Sequence, residues 1–217
     1  MVPLRLNFSN VLLEETDFSD NMGQTIIDCN HNGSNLIEIS NLDFYERLVK
    51  QYPNYSFVFS KQADLLTPFS PEVLNAIAEQ NKFVLIGLPN AWNADLERLK
   101  ELEKKNCFEI TVNSWCPQHC NNFSKCILME QNLQLEYSNK SIFEQCVKTN
   151  RNLLNGKNLI TLEAIQSIYA PLGFHHFTFD SFMFNMNIEE VAQFYIQYFI
   201  KPEFYNEVYI ELLREAV

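Results

Sequence analysis

Apolar and polar residues alternate in several short stretches of the chain. Leu4, Leu6 and Phe8 alternate with polar neighbours, and the same period of two recurs further along. Such alternation indicates strands with one apolar and one polar face. Residues 83–88 differ, because they are nearly all apolar, as expected of a strand covered on both faces. The predicted strands are residues 4–9, 36–40, 55–60, 83–88, 108–113 and 174–180.

Stretches with helical spacing lie between these strands. Asn41 and Thr161 are typical N-caps, Pro71 suits a first helical position, and Asn187 with Glu190 forms a capping box. The predicted helices are residues 20–29, 42–51, 71–80, 96–104, 161–169, 188–200 and 202–215. Alternating strands and helices with short connections favour a parallel sheet. We predict one α/β domain over residues 1–217, an incomplete (β/α) TIM-like barrel of about six parallel strands. Its carboxy-terminal part, 127–217, is mainly helical.

The fifth predicted strand has the clearest two-faced pattern. Its apolar residues are Phe108, Ile110 and Val112, and Glu109, Thr111 and Asn113 lie between them. If the apolar residues pack against outer helices, the polar ones point into the barrel. A buried Glu109 needs partners, so it is either hydrogen-bonded structure or part of a site. We take Glu109, Asn113 and Asp180 as the candidate catalytic residues.

Each predicted strand ends in polar residues at its carboxyl side. Ligands bind at that edge in parallel α/β folds, because loops from several strands converge there. The alternative is that these side chains cap the following helices, which we favour for Asn41. The residues are Ser9, Asn10, Ser40, Asn41, Ser60, Lys61, Asn90, Asn113, Ser114 and Asp180.

A group of cysteines follows the fifth strand. Cys116, Cys120 and Cys126 are spaced C-x3-C-x5-C on a polar stretch, and nineteen residues separate Cys126 from Cys146. Four thiols suffice for a zinc ion or an iron–sulphur cluster. His119 is either a further ligand or a solvent-facing residue.

The remaining thiols have simpler interpretations. Cys29 and Cys107 belong to no close group, and we expect both to be small buried apolar residues. The chain contains neither a Gly-x-Ser-x-Gly elbow nor a His-Glu-x-x-His pair. A nucleophile pair of Cys116 with His175 or His176 stays open.

Composition narrows the classes of partner. The chain has 16 basic and 27 acidic residues and a net charge of -11, which makes nucleic acid an unlikely partner. No secretory signal, membrane-spanning apolar run or Gly-rich phosphate loop is present, so we predict a soluble, cytoplasmic protein. In that compartment cysteines serve as thiols or ligands rather than disulfides.

The chain resembles the bacterial collagenase-like peptidase family. The resemblance lies in Asn113-x-x-Cys116-x3-Cys120, the later Cys146, and Tyr169-x3-Gly173-Phe174. It implies a (β/α) barrel and, as in the better-understood branches, a [4Fe–4S] cluster on Cys116, Cys120, Cys126 and Cys146. Those branches hydroxylate RNA bases or quinone precursors. The family strand Phe-Lys-Ile-x-Gly-Arg reads Phe-Thr-Phe-Asp-Ser-Phe at residues 177–182, and the two lost cations disfavour an anionic substrate.

Three functions follow as alternatives. The first is a [4Fe–4S] metalloenzyme acting on a small molecule or peptide. The second is a binding protein with a structural zinc ion on the same thiols, and the third is a metal-free interaction protein. An incomplete barrel also raises the alternative that a second copy or another chain completes it.

Overall fold

The computed structural model describes residues 4–11, 17–80, 83–113 and 160–179, with isolated positions at 196, 200, 202–204, 206, 207 and 210. All six predicted strands are present in the described part of the chain. They are β1 (Arg5–Phe8), β2 (Leu36–Ile39), β3 (Ser56–Phe59), β4 (Phe83–Gly87), β5 (Phe108–Thr111) and β6 (His176–Thr178).

The described helices confirm the predicted βα alternation. They are α1 (Asn21–Cys29), α2 (Leu42–Gln51), α3 (Pro71–Gln80) and α4 (Leu96–Lys100). A fifth helical segment, α5, comprises Leu162–Ala164, a π-helical stretch Ile165–Tyr169, and Ala170–Leu172. Short 3-10 turns lie at Asp17–Ser19, Lys61–Leu65, Asn90–Trp92, Lys105–Cys107 and Pro202–Phe204.

The strands form one parallel sheet in the order β1-β2-β3-β4-β5-β6. Each strand pairs with the next one along the chain, and every pair is parallel. Right-handed crossovers in a constant direction place the connecting helices on a single face of the sheet. We call this the outer face and the opposite one the inner face.

The outer face carries the hydrophobic core. Ile37, Phe57, Ile86, Phe108 and Ile110 are almost fully buried there. Helix α2 contributes two aromatic side chains to this core. Tyr45 packs on Phe57 of β3 and Phe83 of β4. Phe44 packs edge-on against Phe8 at the end of β1. The core therefore lies between sheet and helices, and the inner face is left to other side chains.

A contact across the inner face shows that the sheet curves into a half-barrel. Arg5 on β1 bonds to Glu109 on β5, at 2.8 and 2.9 Å. Neighbouring strands lie about 4.8 Å apart, so four steps along a flat sheet would separate β1 from β5 by about 19 Å. That distance exceeds the combined reach of the two side chains. The prediction of six parallel strands in a partial barrel is confirmed, whereas the TIM-like character of that barrel stays a prediction.

Local chemistry explains most element boundaries. The Asn41 side chain accepts from the backbone N–H groups of Asp43 and Phe44, so the prediction that it caps α2 is confirmed. Thr161 likewise caps α5, by accepting from the N–H of Ala164 at 3.2 Å.

Three boundaries or faces differ from expectation. Helix α4 ends at Lys100 rather than 104: the backbone bonds tighten to i→i−3 at Glu101 and Leu102, and the Lys105 ammonium satisfies the Lys100 and Leu102 carbonyls. Segment α5 continues to Leu172, and Gly173 at φ +101° ends it. In β4, Val84 is 44% exposed, because a register shift between β3 and β4 displaces it from the ladder.

Two predicted helices, 188–200 and 202–215, lie mostly outside the described residues, as does the Asn187–Glu190 capping box. Within the described part, Ile196 is helical and buried. Across the same residues, every helix is too short or too polar to cross a lipid bilayer.

Candidate functional site

Strand register determines which side chains share the inner face. Gly87 on β4, Glu109 on β5 and His176 on β6 are register partners, and Thr111 pairs with Thr178. Register partners on parallel strands point to the same face. Phe108, Ile110 and Val112 are fully buried on the outer side. The prediction that Glu109 and Thr111 point into the barrel is therefore confirmed; Asn113, two residues beyond β5, is buried, and its direction stays a prediction.

An ion cluster of Arg5, Glu38 and Glu109 lies on the inner face. The two terminal nitrogens of Arg5 donate to the two carboxylate oxygens of Glu109, and Nη1 also lies 3.6 Å from Glu38 Oε2. The Glu109 side chain is only 7% exposed, against 28% for Arg5 and 17% for Glu38. A bidentate pair of this kind is both strong and directional.

The surroundings of Arg5 act on its pKa in opposite directions. Burial lowers the pKa, whereas the hydrogen bond and charge of Glu109 and the charge of Glu38 raise it, and the balance is a raised pKa. The guanidinium is therefore positively charged at any working pH. Glu109 holds this cation with both oxygens, which is the hydrogen-bonded structural role that the sequence left open. The catalytic role of Glu109 stays a prediction.

A second polar group lies at the carboxyl edge of the sheet, and we call it the mouth cluster: Ser9, Lys61, Gln62, Asn90 and Thr111. Lys61 Nζ donates to Thr111 Oγ1 at 2.9 Å and to Asn90 Oδ1 at 3.2 Å. Ser9 Oγ donates to Gln62 Oε1 at 3.0 Å. Residues from the turn after β3 thus reach β5 on one side and the end of β1 on the other.

Gly87 makes this arrangement sterically possible. A Cβ at residue 87 would lie 2.9 Å from the backbone nitrogen of Lys61 and 3.3 Å from its Cβ. Real Cβ atoms do not approach a backbone atom so closely, so only glycine allows the chain to cross over β4 here. The position of Lys61 therefore depends on the absence of a side chain at Gly87.

Asn93 forms a buried junction beside the mouth cluster. Its Nδ2 donates to the Thr111 carbonyl at 2.7 Å, and its own carbonyl accepts from the Tyr169 hydroxyl at 2.5 Å. Its Oδ1 is buried and has no hydrogen-bond partner among the residues that the structure describes. Burial also raises the pKa of Tyr169, so its hydroxyl stays protonated and acts as a donor at neutral pH. Both Asn93 and Asp95 could begin α4 by their sequence position, and Asp95 caps the helix by accepting from the Arg98 N–H.

The structure places only part of the predicted catalytic set. Glu109 on β5 and Asn113, two residues beyond its end, are both almost completely buried. Asp180 lies outside the described residues. His175 and His176 are both exposed, and His176 is the register partner of Glu109. A nucleophile pair with Cys116 stays a prediction, because Cys116 is also outside the described residues.

The predicted ligands Cys116, Cys120, Cys126 and Cys146, together with His119, lie outside the described residues. Among the residues that are described, no group of three or more His, Cys, Asp or Glu side chains could hold a metal ion. The expectation that Cys29 and Cys107 are buried is wrong: Cys29 is exposed and Cys107 is half-buried. Cys29 is the last residue of α1, a helix that buries only Ile27, and Cys107 lies in a surface turn.

Sequence reasoning missed Arg5 and Glu38. Both are the polar members of alternating strands, and their opposite charges were the available signal. Nothing in a single sequence, however, shows that β1 and β5 face one another. Ser9, Lys61 and Asn90 were expected at the carboxyl edge, and they do lie there.

No family model, curated protein or solved structure matches this chain. The resemblance to collagenase-like peptidases therefore stays a prediction that rests on the cysteine spacing and the motifs around it.

Proposed function

We propose that this protein is a metal-binding member of the TIM-like barrel class that binds a small polar or peptide substrate on its inner face. The metal group is a [4Fe–4S] cluster held by Cys116, Cys120, Cys126 and Cys146. The proposal places the protein in a reducing compartment such as the cytoplasm, where these thiols stay available as ligands.

The supporting observation is the path of β5. Its inner residues Glu109 and Thr111, followed by the buried Asn113, lead toward the carboxyl edge, where ligands bind in folds of this kind. Cys116 follows Asn113 by only three residues. The covalent chain limits the Cα separation of those two residues to about 11 Å. This short distance along the chain supports a proposed metal group near the carboxyl edge of the sheet.

The chemistry of the donor set fits the proposed group. Four thiolates satisfy an iron–sulphur cluster completely, which suits electron transfer or a structural role. This chain's own residues would bind and orient the substrate: Thr111 and Asn113 offer neutral polar groups, while Glu109 keeps its carboxylate on Arg5. The family resemblance supports a hydroxylase-like or hydrolase-like reaction.

Metal content of the protein purified without oxygen or chelator tests the proposal. We expect a brown protein with broad visible absorption and iron and sulphide in about equal amounts, close to four of each per chain. Cys116→Ser and Cys120→Ser should each lose most of the iron. Cys107→Ser is the matched control, because Cys107 is a half-buried thiol outside the proposed ligand set, and it should keep the full metal content.

Other outcomes select the alternatives. About one zinc per chain without iron would replace the cluster by a structural zinc site on the same thiols. A colourless, metal-free protein whose melting temperature is unchanged by Cys116→Ser would leave an interaction module without a metal. Equal loss of metal in Cys107→Ser would show that the thiols were assigned wrongly.

A further inference from the structure

The 3-10 turn Lys61–Leu65, here called the strap, crosses the carboxyl mouth of the half-barrel. It follows β3, yet its side chains bond to residues from strands on both sides. Lys61 reaches past β4 to Thr111 on β5, and Gln62 reaches past β2 to Ser9 at the end of β1. The first residue of the strap lies directly over Gly87 on the inner face.

The strap occupies the same polar groups that a ligand at this edge would use. The hydroxyls of Ser9 and Thr111 and the amide oxygen of Asn90 all bond to strap side chains. Ser9 and Thr111 are almost completely buried, at 3% and 1% exposure. Val58 on the inner face of β3 is the register partner of Leu85, two residues before the Gly87 over which the strap begins, and it is 1% exposed. Among the described residues, Ser9 and Thr111 at the mouth and Val58 one step deeper are thus covered by the chain itself.

The strap is attached differently from the helices. Helices α2, α3 and α4 bury apolar side chains in the outer core, whereas the strap buries only Ala63. Lys61 and Gln62 bond to Thr111, Asn90 and Ser9 through side-chain hydrogen bonds. A segment that buries little apolar surface opens at a lower free energy than the core.

We propose that the strap is an internal lid: Lys61 and Gln62 hold the mouth closed, and the strap swings away to let a ligand reach the inner face. The inference rests on the proposed ligand site at this edge, and it concerns how that site is regulated rather than its metal. The strap's own ammonium and amide groups stand in for ligand groups on Thr111, Asn90 and Ser9. Binding thus competes with closure.

Alkylation of a buried reporter cysteine tests the lid without an identified ligand. Val58→Cys places a thiol of similar size on the inner face beneath the strap. The probe is iodoacetamide, and modification of residue 58 is followed over time by peptide mass spectrometry. Adding Lys61→Met or Gln62→Leu should accelerate modification about tenfold. Loss of one hydrogen bond shifts the equilibrium between the closed and open strap by about this factor, and by more where the bond involves a charged group.

Two controls separate opening of the strap from unfolding. Lys50→Met removes an exposed lysine at the end of α2 and should leave the rate within about twofold, as surface substitutions do. Ile39→Cys places the reporter in the outer core, where only global unfolding exposes it.

The lid is supported if the strap substitutions accelerate alkylation of the cysteine at residue 58 and leave the alkylation rate at residue 39 unchanged. It is overturned if both reporters accelerate equally, or if neither responds. Neither result depends on metal content, so failure of the lid and failure of the cluster proposal are distinguishable.

Discussion

Removing the charge of Arg5 should destabilise the fold by more than removing the charge of Glu109. Arg5→Met keeps the apolar stem but leaves the Glu109 carboxylate, 7% exposed, without its cation. Breaking a fully buried pair from one side costs about 3–5 kcal/mol. Arg5 is 28% exposed and water can partly replace it, so we expect about 2–3 kcal/mol.

Glu109→Gln should cost less, about 1–2 kcal/mol. It leaves the cation partly exposed and still 3.6 Å from Glu38. The double variant Arg5→Met/Glu109→Gln should be more stable than the sum of the two single losses predicts, by about 1–2 kcal/mol. Urea unfolding followed by circular dichroism gives all three values, with equal m-values showing that the same surface unfolds.

Lys100→Met is the matched surface control. It breaks a pair with Glu97 in which both side chains are at least half exposed, and should change stability by about 0.5 kcal/mol or less. If Arg5→Met behaves like this control, or if the double-variant cycle shows no coupling, the pair does not hold β1 against β5. The pKa of Arg5 is raised, so its contribution is lost only at strongly alkaline pH and should not vary between pH 5 and about pH 9.

Two further predictions follow from single positions. Gly87→Ala should lower the free energy of unfolding by about 1–3 kcal/mol, because the new Cβ would meet the Lys61 backbone nitrogen at 2.9 Å. Gly33→Asn is the control, because nothing lies within 4 Å of a Cβ at residue 33. A melting temperature unchanged by Gly87→Ala would contradict the close approach. Burial raises the pKa of Asp64, so the folded form binds more protons than the unfolded chain and the native protein loses stability as pH rises. The free energy of unfolding of Asp64→Asn should therefore equal that of the native protein below about pH 4 and exceed it increasingly up to pH 7. Asparagine can still accept from the Phe69 N–H, so denaturation curves over this pH range isolate the charge, and a difference that shrinks as pH rises would reverse the assigned sign.

The periodic part of the fold was predictable from local chemistry. Alternation in Phe108–Thr111 identified both faces of β5, and the cap at Asn41 located the start of α2 within one residue. These features depend on neighbours a few positions apart. The sequence of each segment therefore contains the relevant interactions.

The inner contacts were not predictable, because they join residues far apart in the chain. Arg5 and Glu109 are separated by 104 positions, and Lys61 and Thr111 by 50. Their proximity depends on how strongly the sheet curves, which no local pattern encodes. Val84 shows the same difficulty: an apolar run predicted a covered strand, while a register shift exposes that one side chain. The four predicted cysteine ligands lie outside the described residues, so the metal site stays a prediction from their spacing.

The opposite character of the two sheet faces makes the frame of β5 critical. Phe108 and Ile110 belong to the hydrocarbon layer, and Glu109 and Thr111 to the polar interior, although they alternate along four consecutive residues. Deleting a single residue ahead of this strand would turn every side chain over. A carboxylate would then face the phenylalanine rings of the core, and aromatic carbon would line the mouth. Natural variants of this protein should therefore keep the length of β5 and the alternation of polar and apolar residues along it.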